Sequence, residues 1–186
     1  MKRTILATML ASALVLSGCG NKEDEQAKAS ISDYFTQQQA GQQGASMKKK
    51  EADCLASGMV DDIGVEQLKK YKILKEDGSF NKEAQGFTMS KDDSEVMADA
   101  FLKCTDTIKT MKAQIASDPS AQTPEAKKCF AETLTEDKVR SMLVANFSGD
   151  QKKATEFQSE LMKCAAAGQP APSQAPSPAP SPAPKK

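Results

Sequence analysis

An all-α domain braced by disulfides is the fold this sequence predicts, and three observations carry it. Apolar residues recur three and four positions apart through much of 47–168, the period of one helix face. Four cysteines, Cys54, Cys104, Cys129 and Cys164, recur at matching places in two similar stretches. The segment 169–186, QPAPSQAPSPAPSPAPKK, is Pro, Ala and Ser apart from Gln169 and Gln174 up to Lys185 and Lys186 and cannot extend the helices.

Taken in order, EDEQAKASISDYFTQQQ is dense in helix formers and places Ile31, Tyr34 and Phe35 on one small apolar face. So few apolar groups offset little of the ordering entropy, so this helix either packs on the domain or serves as a spacer. The GQQGAS stretch from Gly41 to Ser46 interrupts it. In MKKKEADCLASGMV, Met47, Lys50, Cys54 and Leu55 define one side of a second helix. A short helix is expected from Val65 to Leu74, striped by Val65, Leu68, Tyr71 and either Lys72 or Leu74, before a loop around Gly78 and Gly86. The clearest periodicity then follows. Ser90 caps, Asp93 stands three residues on, and Met97, Phe101, Cys104, Ile108, Met111 and Ile115 predict one amphipathic helix that Asp118 and Pro119 stop.

Thr123, Pro124 and Glu125 open the next helix, with Pro where its missing amide is least harmful. Cys129 and Phe130 lie inside it. Val139, Met142, Leu143 and Phe147 mark another, and Ser148 with Gln151 is the expected capping box of a last helix carrying Phe157, Leu161 and Cys164. Gly168 and Pro170 end that helix.

The two halves superpose on their cysteines. Cys54, Met59 and Leu68 have the offsets of Cys129, Leu134 and Leu143, while Met97, Phe101, Lys103 and Cys104 match Phe157, Leu161, Lys163 and Cys164. A diverged duplication therefore predicts two similar helical units, 47–118 and 119–168, followed by a disordered tail, 169–186. Four cysteines permit three pairings. If each half folds as one unit, the bridges are Cys54 to Cys104 and Cys129 to Cys164, each removing on the order of 4 kcal/mol of unfolded-chain freedom. No Cys-x-x-Cys pair is present, which disfavours a thioredoxin-like couple or a zinc knuckle.

The start of the chain has a different character. Lys2 and Arg3 form a basic head, and TILATMLASALVLSG follows with no charge before Lys22. Its apolar part, Ile5 to Leu16, is shorter than the roughly 20 residues of an ordinary membrane span. It ends Leu16, Ser17, Gly18, Cys19, a box of Leu, small residue, Gly and Cys. In these residues the chain resembles a bacterial lipoprotein precursor, over its first nineteen or so positions only. The resemblance implies that 1–18 is a signal peptide and that Cys19 becomes the first mature residue, carrying diacylglycerol on its sulfur and commonly an acyl group on its nitrogen. Two or more chains anchor a protein stably where one does not. Segment 19–46 would then be a lipidated tether with a short helix, and Gly20, where an Asp would favour the inner membrane, points to the outer membrane of a two-membrane envelope.

Composition excludes several functions. Without 1–18 the chain has 168 residues, enough for one modest domain with tails, and 23 basic against 25 acidic residues, a net charge of −2. That balance and an aromatic content of 5% without Trp leave no nucleic-acid surface or base-stacking platform. The absence of His removes the usual general base, the Ser-His and Cys-His pairs and most catalytic zinc designs. Asp61 with Asp62 and Asp92 with Asp93 resemble paired catalytic acids, but the first pair suits a helix connection and the second a helix first turn. Asp106 with Lys109 and Glu160 with Lys163 read as solvated helix pairs. Met59, Met97, Met111, Met142 and Met162 suit core packing, with an apolar ligand groove as the alternative. No catalytic, metal or cofactor-binding residue is assigned. The expectation is an exported, lipid-anchored, non-enzymatic structural, interaction or accessory module with an envelope protein partner. A carrier or sensor of a small apolar or lipid ligand is the alternative, and an enzyme using acidic residues comes third.

Overall fold

A computed structural model describes residues 20–37, 47–83 and 87–168. The signal segment, Cys19, the Gly41–Ser46 interruption, Gly86 and the Pro-rich stretch 169–186 lie outside the described residues. The chain forms two compact units that divide between Phe87 and Thr88.

In the first unit, α1 (Gly20–Gln37) packs on α2 (Lys49–Gly58). Ala27 and Ile31 are fully buried, as are Ala52, Leu55 and Ala56 on α2. The first helix is thus part of a core and not a free spacer. On α2 the buried stripe is set by these small residues; Lys50 is exposed and Cys54 half-buried, which corrects the face expected through Met47, Lys50 and Cys54. The Glu51 carboxylate reaches back to accept the Lys48 amide at 3.2 Å, supplying an acid to the positive helix start. A π turn, Met59–Ile63, continues α2 and buries Met59 and Val60.

The short helix α3 (Val65–Lys70) ends earlier than its apolar spacing suggests. Lys72 adopts φ 59°, and the Ile73 amide donates to Leu68 O at 3.0 Å while the Lys72 amide donates to Lys69 O at 2.8 Å. This left-handed stop satisfies the last carbonyls, and buried Ile73 and Leu68 supply its apolar contact. Beyond it, Leu74 and Phe80 form an isolated antiparallel bridge. The turn between them is fixed by Asp77 Oδ1, which accepts the Ser79 amide at 2.9 Å and the Ser79 hydroxyl at 2.6 Å.

The second unit contains α4 (Lys91–Cys104), α5 (Thr107–Ala116), a 3-10 turn (Pro119–Ala121), α6 (Pro124–Thr133), α7 (Glu136–Ser148) and α8 (Gln151–Ala167). Helix α4 packs on α7, α7 on α8, and α8 on α6. Ser90 caps α4 as expected, its hydroxyl accepting the Asp93 amide at 3.1 Å. The single long helix is instead two. At Thr105 the backbone becomes extended, and the Thr105 hydroxyl donates to Phe101 O at 2.7 Å. Thr105, Asp106 and Thr107 are weak helix formers whose side chains compete for backbone bonds, and they break the register despite the unbroken apolar spacing.

Thr123 caps α6, accepting the Ala126 amide at 3.2 Å, with Pro124 at the first helical position. Ser148 does not cap α8. Gly149 takes φ 74°, closing α7, and Asp150 Oδ1 accepts the Lys153 amide at 3.2 Å, opening α8. A side chain at Gly149 would suffer that backbone strain and would meet Thr88 Oγ1 at 3.1 Å. Gly168 terminates α8 as expected.

Cys129 and Cys164 are bridged, their Cα atoms 5.3 Å apart, and Cys54 and Cys104 are also disulfide-bonded. Helices α2 and α6 each begin five residues before their cysteine and end four after it. Compactness follows a different boundary from 118/119, because α4, assigned by spacing to the first half, packs on α7.

Two outcomes test this description. Ile31→Ala should lower the unfolding free energy by about 2–5 kcal/mol in urea denaturation, as for a buried aliphatic truncated in a packed core; a loss below about 1 kcal/mol would mark α1 as loosely held. Non-reducing tryptic mapping should yield 129–138 joined to the peptide beginning at Cys164, and a fragment joining Cys129 to Cys54 would contradict the bridge.

Candidate functional site

One acid of each candidate pair is engaged in a helix contact or cap. Asp61, in the π turn, takes Lys28 of α1 at 2.8 Å, and Lys28 is held above the ordinary lysine range mainly by that hydrogen bond. Asp93 Oδ2 accepts the Ser90 hydroxyl at 2.9 Å, and Asp92 and Asp93 form the first turn of α4. Asp61 thus serves a contact between helices and Asp93 a helix cap.

A constellation without a sequence motif stands between α1 and α2. Ser32 donates to Asp53 Oδ1 at 2.6 Å, and Lys49 Nζ lies 2.6 Å from the same oxygen and 3.2 Å from Ser32 Oγ. Serine, lysine and carboxylate together resemble an activated nucleophile. Here Asp53 raises the Lys49 pKa, opposing its service as a base, while Lys49 first and Ser32 second lower that of Asp53. Ser32 is only 1% exposed and donates its proton to a carboxylate already paired. The arrangement is a polar clamp that satisfies a buried hydroxyl where two helices touch. It went unseen in the sequence because 17 residues separate Ser32 from Lys49.

A second clamp joins α4 to α7. Arg140 donates from Nε to Asp99 Oδ1 at 2.5 Å and from Nη2 to Oδ2 at 2.9 Å, with Glu95 3.7 Å away. This two-pronged contact suits the planar guanidinium, raises its pKa and holds the Asp99 carboxyl below the usual aspartate range. Phe101 and Phe147 meet across the same helix pair with ring centroids 5.5 Å apart.

The methionines divide between burial and exposure. Met97 and Met59 are buried, Met111 and Met142 half-buried, and Met162 is 60% exposed. The apolar concavity of the second unit contains none of them. It lies among α5, the 3-10 turn and α6, has a volume of about 250 Å³, and is lined by Ile115, Phe130, Leu134, Lys112 and Lys127 among others. Its floor adjoins a cluster of Ala121, Ala126, Phe130 and Cys164. In the first unit, Tyr34 stacks on Phe80 at 3.7 Å beside Phe35, and a more polar groove opens there between Asp33, Lys75 and Glu83.

Among the described residues no group of three or more His, Cys, Asp or Glu is placed to hold a metal, and no helix is long and apolar enough to cross a membrane. Comparison with protein-family models, curated proteins and solved structures returned no match.

The Arg140 clamp gives a pH signature. A carboxyl whose folded pKa is depressed stabilises the fold fully above the unfolded aspartate value of about 3.9, and that contribution is lost as pH falls through the lower folded value. An NMR titration should find Asp99 titrating below the ordinary range and returning towards it in Arg140→Gln. Because the pair is largely exposed, the substitution should cost no more than about 1 kcal/mol. An unshifted Asp99 would remove the clamp.

Proposed function

We propose that this chain is a lipid-anchored envelope protein, held by acylated Cys19 in the outer membrane of a two-membrane organism, whose folded units serve as a non-enzymatic structural or interaction module. The observation that supports the reading most is the place of α1 in the chain. Its described residues, Gly20–Gln37, follow directly on the Leu-Ser-Gly-Cys box, and the helix buries Ala27 and Ile31 in the first unit. Helical rise is about 1.5 Å per residue, so only about 10 Å of helix separates Gly20 from Ala27. An acylated Cys19 would therefore hold the first unit close to the headgroups, with the start of α1 towards the bilayer.

The treatment of the polar side chains agrees with a module that binds and does not react. Ser32, Lys49, Asp53, Asp61 and Asp99 are engaged across helix contacts, and no buried side-chain nitrogen or oxygen among the described residues lacks a partner. Preorganised reactive groups require the opposite: a donor or base aimed at open space.

Cys19→Ser tests the proposal in fractionated cells. The wild-type chain should sediment with membranes and show diacylglycerol mass on an N-terminal Cys19, whereas the variant should lose the lipid mass and be released or mislocalised while keeping its helical circular dichroism. Membrane attachment of wild type without lipid on Cys19 would overturn the anchor.

A further inference from the structure

We propose that the cavity bounded by α5, the 3-10 turn and α6 is a binding site for a short single-chain carboxylate. The apolar chain lies on the Phe130 and Leu134 floor, and the carboxylate sits at the rim in the field of Lys112 and Lys127. The inference is independent of the anchor at Cys19 and of any partner in the envelope.

The floor is built and closed from behind. Ala121, Phe130 and Leu134 are 3%, 8% and 2% exposed, and the Cys129–Cys164 bridge ties α6 to α8 beneath them. The wall is less complete. Helix α5 has no fully buried residue, and its Ile115 stays half-buried at the cavity. A bound apolar chain would remove that surface from water, at about 25 cal/mol per Å².

Charge sets the polarity of the occupant. Lys112 from α5 and Lys127 from α6 line the same concavity, no Asp or Glu lines it, and neither lysine has an acidic partner among the described residues. Three other concavities mix signs: Glu95 and Asp137 stand with Arg140, Asp106 and Glu136 with Lys109 and with Lys112, which borders that hollow as well, and Asp33 and Glu83 with Lys75. The α5–α6 cavity differs from these three in joining an apolar floor to two lysines with no carboxylate in its own lining. Two lysines without an arginine fork suit a compact monoanion better than bidentate phosphate recognition.

Size sets its length. A volume of about 250 Å³ holds roughly eight groups the size of a water molecule and falls below the ~300–1,000 Å³ typical of larger ligand sites. A two-chain phospholipid exceeds it. One short acyl chain fits, and octanoate is the matching probe.

The experiment uses the full chain carrying Cys19→Ser, so that no attached lipid competes, and follows methyl resonances of Ile115, Ala121, Ala131 and Leu134 on titration with octanoate. Saturable shifts centred on these methyls are expected, with octanol binding about tenfold more weakly. Lys112→Gln combined with Lys127→Gln should weaken octanoate about tenfold and bring it level with octanol, identifying the rim charges as the source of selectivity. Ala131→Leu, at an exposed helical position lining the cavity, should abolish binding while leaving the helical spectrum intact. Absent saturation, shifts centred elsewhere, equal affinity for octanol and octanoate in the wild-type cavity, or undiminished binding in a folded Ala131→Leu chain would each overturn the assignment.

Discussion

Burial at helix contacts, with alanines set among a few larger apolar side chains, is the constraint on which both units depend. Ala27 on α1 is fully buried beside a helix whose own buried face is Ala52, Leu55 and Ala56. In the second unit, Ala98, Ala100, Ala121, Ala126 and Ala145 are buried beside Met97, Phe130, Leu134 and Val139, whereas Phe101 and Phe147 are only half buried. Small residues permit close packing but each removes little apolar surface from water, and hydrophobic gain scales with that surface. A core of this kind needs supplementary restraint.

That restraint is supplied by bonds of three strengths. The Cys129–Cys164 bridge limits the unfolded chain around the α6–α8 contact. Polar clamps then fix helix pairs: Ser32, Asp53 and Lys49 for α1 and α2, and Arg140 with Asp99 for α4 and α7. Weaker still are the exposed ion pairs within single helices, such as Lys91 with Glu95 at 3.8 Å, which adjust local helix stability by a few tenths of a kcal/mol. The same geometry bears on function. Ser32, Lys49 and Asp53 are aimed at one another, and the concavity lined by Lys112 and Lys127 lies elsewhere, between α5 and α6.

Helix starts were legible because they depend on neighbours in sequence. Ser90 caps α4, and Thr123 with Pro124 starts α6, since the cap needs only a hydroxyl three residues from an amide. Helix interruptions were harder to read. Apolar spacing alone ran through Thr105 and Asp106, yet side-chain competition for Phe101 O broke the helix there. The end of α3 was misplaced for a related reason: Lys72 accepts a left-handed backbone because that conformation buries Ile73 against the preceding turn, a gain visible only once the unit is folded. The cap of α8 shifted from Ser148 to Asp150 once Gly149 closed α7.

The sequence by itself determined the helical class, through short-range apolar spacing, and the bridged cysteine set, through the matched placement of its four cysteines. It also carried the lipoprotein-like box ending at Cys19, a pattern of contiguous residues. Only the tertiary structure decided that α1 belongs to a core, that α4 packs with α7, and that Ser32, Lys49 and Asp53 form a clamp. The α5–α6 cavity belongs to this second group. Lys112 and Lys127 look like ordinary solvated charges along their own helices, and they become one electrostatic feature only when two separate helices bring them to the same apolar floor.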